Sequence, residues 1–393
     1  MKILIFLSLS ILVMSPNMQA KTTALRVATF NTSMEATNYL KDNEQPSGSE
    51  LFIHLKQGVH QQIRNVAEII QRQRPDVILL NEFDYHRDAD KGIKAFMTLY
   101  LNMAQHEDTQ AIDYPYFYSA PVNTGIDSGL DLDKDGIASG TKGDAFGFGL
   151  FPGQYGMLVM SKYPIQHDQI RTFQHFLWKD MPDNLLSTII DASGESYYSR
   201  EAQQILRLSS KSHWDIPIKV GEHTIHLLAS HPTPPVFDGP ENRNGKRNHD
   251  EIRFWTDYIS GNEQSAYIYD DKGKLGGFKG EHFVIAGDLN ASPDEGDGIK
   301  SGIRGLLEHP LVNDSFVPKS EAGKLHTPDS QYSAQHTAEW SMRADYVLPS
   351  TTLKVKASGV FWPKQDDPLF RLIKARKSSS DHRLVWVDIT VTK

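Results

Sequence analysis

The 393-residue chain has 39% hydrophobic and 23% charged residues, the make-up of a globular protein with room for one large α/β domain or two small ones. A formal charge of -8 gives no basic footprint for tight, sequence-independent nucleic-acid binding, although a metal ion can supply positive charge locally. The absence of cysteine excludes disulfides, a cysteine nucleophile, thiolate zinc and a lipid-modified N-terminal cysteine.

Lys2 precedes an apolar run from Ile3 to Met14, followed by Ser15, Pro16 and a polar stretch ending at Ala20. This pattern predicts a secretory leader over residues 1–20 and hence a bacterial periplasmic or secreted protein. The run is too short to span a bilayer, and no later segment suggests a membrane span.

Leu25 to Asn31 alternates as a strand that stops at a carboxamide. Residues 32–57 carry Asn, Gly, Ser and Pro with little periodicity. Val59, Ile63, Val66, Ala67 and Ile70 then recur at helical spacing until Pro75, which predicts an amphipathic helix lying on a sheet. Asp76 to Glu82 is a second strand, ending in a carboxylate. Strand, helix, strand is the opening of a layered α/β fold.

From Phe83 to Gly153 the chain reads as loop. Within it, Asp131-Leu132-Asp133-Lys134-Asp135-Gly136 matches the start of a calcium loop, in which alternating carboxylates converge on one ion. Lys142 stands at the twelfth position and Asp144 is the nearby substitute, so a structural Ca²⁺ and an ordinary acidic turn are both open. Gly156 to Ser161 is a third strand, and Thr224 to Ser230 another that delivers His231. Pro232 to Arg247 reads as an irregular surface lid in which Arg243 and Arg247 could clamp a phosphate. A helix follows over Asp250–Ile259, with Ile252, Trp255 and Ile259 on one face.

His282 to Ala286 is an apolar run of β-favouring residues that stops at Gly287-Asp288-Leu289-Asn290. Strand alternation predicts that Asp288 and Asn290 project side by side while Leu289 turns into the core. An acceptor beside a carboxamide can orient a water, or a hydrated metal, next to a phosphate oxygen. Asp345 to Leu348 and Leu384 to Val387 complete the strands, the last preceded by Ser380-Asp381-His382. No repeat or linker stands out, so residues 25–393 are read as one catalytic domain.

The ordered set Thr29-Phe30-Asn31, Asn81-Glu82, Ser230-His231, Gly287-Asp288-Leu289-Asn290, Arg343-Ala344-Asp345-Tyr346 and Ser380-Asp381-His382 resembles the endonuclease/exonuclease/phosphatase superfamily, the DNase I-like fold. The resemblance implies a four-layer α/β/β/α sandwich and a metal-dependent phosphoric ester hydrolase acting on phosphate mono- or diesters. It also implies a Mg²⁺ or Mn²⁺ ion, or Ca²⁺, on oxygen ligands, with Glu82 as principal ligand and Asn31 and Asp381 beside it. On the same analogy Asp288 aligns or deprotonates the attacking water, Asn290 holds it or a phosphate oxygen, and His231 and His382 stabilise the transition-state oxygens. His382 is the implied general acid/base, oriented by Asp345. Asn81 departs from the Gln common at that position. A phosphate-ester substrate ranks first, with nucleic acid as a substrate second. A binding protein that keeps the fold without catalysis is the alternative from another class.

Overall fold

The computed structural model describes residues 23–391 except 42 and 87 and the side chains of 23 and 89–91; the expected leader therefore lies outside the described residues. The strands are β1 (Thr23–Met34), β2 (Val77–Phe83), β3 (Tyr116–Tyr118), β4 (Met157–Ser161), β5 (Arg171–Thr172), β6 (His213–Val220), β7 (His223–Ser230), β8 (His282–Asp288), β9 (Asp345–Pro349), β10 (Lys354–Val360) and β11 (Val385–Val391). They form a six-stranded sheet in the order β10-β11-β1-β2-β4-β3 and a five-stranded sheet in the order β5-β6-β7-β8-β9.

Period-2 alternation explains how the layers stack. In β8, Val284 and Ala286 join the core shared by the two sheets, whereas Phe283 and Ile285 face the opposite way. That outer face is covered by the helix Arg243–Ser260, through Ile252, Phe254, Trp255 and Ile259, and by the helix Lys300–Leu307 through Ile303 and Leu306. On the other side the helix Gln61–Gln73 buries Ile63, Val66 and Ile70 against the six-stranded sheet. Helix, sheet, sheet, helix is the layering expected from the resemblance. Each fully buried aliphatic or aromatic side chain stabilises this stack by about 1.5–3 kcal/mol.

Some local expectations need correction. Val59 is 61% exposed and precedes the helix, because the apolar stripe begins only at Ile63. The polar stretch before it contains a helix, Glu50–Gln57, whose Leu51, Phe52 and Leu55 are buried. The segment read as a lid is irregular over residues 232–242, as expected, but its last five residues, Arg243 to Arg247, open the continuous helix Arg243–Ser260. Arg247 is spent inside it, donating to the carbonyls of Leu208 at 2.9 Å, Phe146 at 2.6 Å and Arg207 at 2.9 Å. Half-buried and held by three backbone carbonyls, it has no freedom to clamp a phosphate. Arg243 is ion-paired with Glu241. Among the described residues no helix is long and apolar enough to cross a membrane.

Candidate functional site

The centre of the site is the end of β8, where the two sheets meet. Gly287 has φ 152°, and a Cβ there would lie 2.0 Å from the Ser230 carbonyl oxygen, so only glycine lets β7 and β8 close this tightly. Asp288 follows. Its backbone N–H donates to Asn81 Oδ1 at 3.1 Å, while Asn81 Nδ2 donates to the Ser230 carbonyl at 3.4 Å. Asn81, on β2, thus ties the first sheet to the second directly beneath the site.

The Asp288 carboxylate is almost completely enclosed. Oδ1 accepts from the Asn290 N–H at 3.0 Å, and Oδ2 accepts from Asn31 Nδ2 at 3.0 Å. His231 Nε2 and His382 Nε2 stand 3.4 Å and 3.6 Å from Oδ2. Burial pushes the Asp288 carboxyl up to about 7 against the pull of His382. His382 shows the opposite balance. Burial alone would lower it, but Asp345 and Asp288 override that and hold it at about 10. Its Nδ1 pairs with Asp345 Oδ2 at 2.9 Å, and Thr337 Oγ1 donates to the same oxygen at 2.7 Å. Trp340 sets its ring edge-on to the imidazole at 5.7 Å between centroids. His231 is depressed well below the usual histidine range, first by burial and then by Lys211 and His382. One buried imidazole is therefore neutral and its neighbour charged.

A carboxylate group borders this centre. Glu82, the last residue but one of β2, has left-handed backbone, φ 53°, a conformation that non-glycine residues hold only at a cost. Ser33, Tyr155 and Asn290, on the adjoining segments, share that conformation with φ 49°, 56° and 52°. Glu82 Oε2 is buried and has no hydrogen-bond donor among the described residues; its counter-charge is Arg376 Nη2 at 3.7 Å. Burial raises the Glu82 carboxyl despite that cation. Arg376 Nη1 also pairs with Asp381 Oδ2 at 3.0 Å, and Ser33 Oγ donates to Asp381 Oδ1 at 3.1 Å. Two carboxylates gathered on one arginine, one of them with an unsatisfied buried oxygen, are a fitting donor set for a hard divalent cation. The oxygens of Asp288 and Asp345 and a nitrogen of His382 also lie within 4.8 Å of one another. That trio suits a metal less well, because a protonated imidazole has no lone pair to give. A cleft of about 390 Å³, lined by Tyr85, His86, Pro121, Val122, Phe151 and Pro152 among others, opens three residues beyond Glu82 in the chain.

The Endonuclease/Exonuclease/phosphatase family model matches residues 28–382. The chain belongs to the endonuclease/exonuclease/phosphatase family. No curated protein matches it significantly by sequence. Among solved structures, a family member from Beutenbergia cavernae is 17% identical, covering 94% of this chain and 72% of its own, with a TM-score of 0.50. Beta toxin from Staphylococcus aureus, a double mutant with bound magnesium ions, is 14% identical over 93% of this chain and 99% of its own, TM-score 0.43. Sphingomyelinase C from Streptomyces griseocarneus is 15% identical over 93% and 99%, TM-score 0.43. This family comprises metal-dependent hydrolases, and the fold is the DNase I-like fold expected from the motifs.

Against the motifs of this family, the structure draws Asn31, His231, Asp288, Asn290, Asp345 and His382 into one cluster, with Glu82 and Asp381 beside it through Arg376. A turn rather than strand alternation sets Asp288 and Asn290 relative to each other, with the Asn290 N–H donating to Asp288 Oδ1 at 3.0 Å. β8 ends at Asp288, the chain turns left-handed at Asn290, and Asn290 Nδ2 is spent on the Pro232 carbonyl at 3.1 Å. Leu289 is buried as expected. In the acidic loop the carboxylate that gathers with Asp131 and Asp133 is Asp144, while Asp135 turns to cap the Ile137 N–H at 2.8 Å. Asp144 is already engaged by the N–H groups of Leu132 at 2.7 Å and Ser139 at 2.8 Å. Thr337, Arg376 and Lys211 were not singled out as site residues from the sequence. Arg376 falls in a basic run that resembles a solvated face, and Thr337 and Lys211 stand in no motif.

Proposed function

We propose that this chain is a divalent-metal-dependent phosphoesterase that hydrolyses phosphate mono- or diesters by in-line attack of water. The observation that carries the reading is Asp288 Oδ2, buried and faced by Asn31 Nδ2 at 3.0 Å, His231 Nε2 at 3.4 Å and His382 Nε2 at 3.6 Å. Burial that lifts Asp288 to about 7 suits it to take a proton from water near neutral pH. As the water oxygen bonds to phosphorus, its proton passes to Asp288 and the bond from phosphorus to the ester oxygen breaks. The departing alkoxide takes its proton from solvent. His382, held charged by Asp345, offers Nε2–H to the oxygens that gain negative charge, and neutral His231 offers a second donor. Asn31 and the Asn290 N–H fix the Asp288 carboxylate in line. Glu82, Asp381 and Asn31 would hold the cation. When bound, it supplies neutralisation of phosphate charge, and Mg²⁺ or Mn²⁺ suits these oxygen donors.

Export belongs to the same proposal, supported by the charged residue and apolar run of residues 2–14. The test is a substrate panel: purified protein with a phosphomonoester, a phosphodiester and plasmid DNA, with and without EDTA, then with Mg²⁺, Mn²⁺ or Ca²⁺ restored. The expected result is hydrolysis of a mono- or diester that EDTA abolishes and Mg²⁺ or Mn²⁺ restores. Cleavage of DNA alone would make the protein a nuclease. Inertness toward all three with every cation would leave a binding protein.

A further inference from the structure

Lys211 enters from a segment with no recognisable motif, Ser209-Ser210-Lys211-Ser212, which leads into β6. Its position follows from strand register. His213 pairs with Ser230 in antiparallel β6 and β7, so the same register carried two residues on sets Lys211 level with Pro232, just past His231. Two anchors hold it there. The Lys211 carbonyl accepts from the Asn123 N–H at 2.9 Å. Glu251 binds both flanks at once, taking the Ser210 N–H at 2.6 Å on Oε1 and the Thr233 N–H at 2.6 Å on Oε2. The Pro232 carbonyl opposite is held in turn by Asn290. Lys211, His231 and Asn290 are thus fastened at one end of the three central strands of the second sheet.

The residue is only 5% exposed, yet its side chain makes no hydrogen bond and no ion pair among the described residues. Glu251 is the strongest of the carboxylates acting on it, but both Glu251 oxygens are committed to backbone N–H groups. Glu82 and Asp288, the two central carboxylates of the site, act on it as well, and it acts on His231. Burial pulls its pKa down. A largely buried cation without a protein partner is an unfavourable arrangement in a protein interior, and it persists where an anionic ligand completes it.

We propose that Lys211 is a substrate-contacting residue whose ammonium binds a non-bridging oxygen of the phosphate under attack, alongside His231. This rests on the phosphoesterase reading and extends it with a third cationic or donor group on the side of the second sheet. The phosphate is a tetrahedral anion, so the product, inorganic phosphate, should bind the same group.

The test compares wild type with Lys211→Met and Lys211→Arg by kinetics on the substrate found active, by calorimetric binding of inorganic phosphate with Mg²⁺ present, and by thermal unfolding. Loss of a charge-assisted hydrogen bond predicts that Lys211→Met weakens phosphate binding and lowers kcat/KM by about 10- to 100-fold, with Lys211→Arg in between. The Tm of Lys211→Met should stay level or rise, because an unpaired buried charge has been removed. Phosphate affinity within about threefold of wild type, about half of one pKa-sized tenfold step, overturns the proposal. So does a loss of binding accompanied by a fall in Tm, which assigns Lys211 to charge balance among Glu251, Glu82 and Asp288. If the wild type turns over no phosphate ester, the phosphoesterase reading fails on its own, while the phosphate-binding arm still decides the role of Lys211.

Discussion

His382 Nδ1 and Asp345 Oδ2 lie 2.9 Å apart, both buried, although β10 and a long loop separate them in the chain. The contact fixes the imidazole so that Nε2 faces Asp288, and Thr337 fixes the carboxylate in turn.

Asp345→Asn removes the largest influence that raises His382, whose pKa of about 10 sits above the histidine reference. The imidazole should then lose its proton at lower pH. We expect kcat to fall by about 10²- to 10³-fold, the range for loss of one donor to developing negative charge. The alkaline limb of the pH–rate profile should move to lower pH. The sign for stability is the same. A raised folded pKa contributes stability present below the unfolded value of about 6.5 and lost as pH rises toward about 10. The variant, measured by denaturant unfolding without metal, should lack that alkaline decline.

The preference for Glu82 as the cation's anchor over the Asp288, Asp345 and His382 trio can be read from metal binding alone. Glu82→Gln should weaken Mn²⁺ binding, followed by electron paramagnetic resonance, by more than about tenfold, since oxygen-ligand charge sets affinity for hard cations. Asp345→Asn should leave that affinity within about threefold. The reverse pattern would move the cation into the buried trio.

Gly287→Ala brings a methyl group to 2.0 Å from the Ser230 carbonyl oxygen, with no flexible side chain to yield. The strand ends that carry His231 and Asp288 must separate. Destabilisation by about 1–3 kcal/mol or more is expected, together with loss of activity beyond what the unfolded fraction explains. Thermal unfolding and specific activity of the folded fraction check both parts.

Much of this architecture could be read from the chain because buried strands announce themselves. Val284 to Gly287 and Val77 to Leu80 are apolar runs that end at polar residues, and their ends are where the site lies. β6 escaped notice because Pro217 interrupts it, which argues against a central strand. Its partner β5 is only two residues long and pairs at Asp215 and Trp214, so at Pro217 the strand borders no β5 residue. The local turn at Asn290 was equally hidden, since alternation assumes that a strand continues. Lys211 was illegible for another reason: a lysine among serines has the composition of a solvated loop, and only the register of β6 on β7 and the two anchors of Glu251 bury it. Arg247 shows the converse, a residue whose type suggested an anion clamp and whose helix turned it inward.

The account rests above all on Asp288 as the group that takes the proton from water. Single-turnover hydrolysis of the active substrate by Asp288→Asn, an isosteric change that leaves Glu82 and Asp381 in place, measures this most directly. The account predicts a folded protein that still binds Mn²⁺ and whose rate falls by at least about 10²-fold, as for loss of a general base. A rate within about threefold of wild type, far below any general-base contribution, would contradict it.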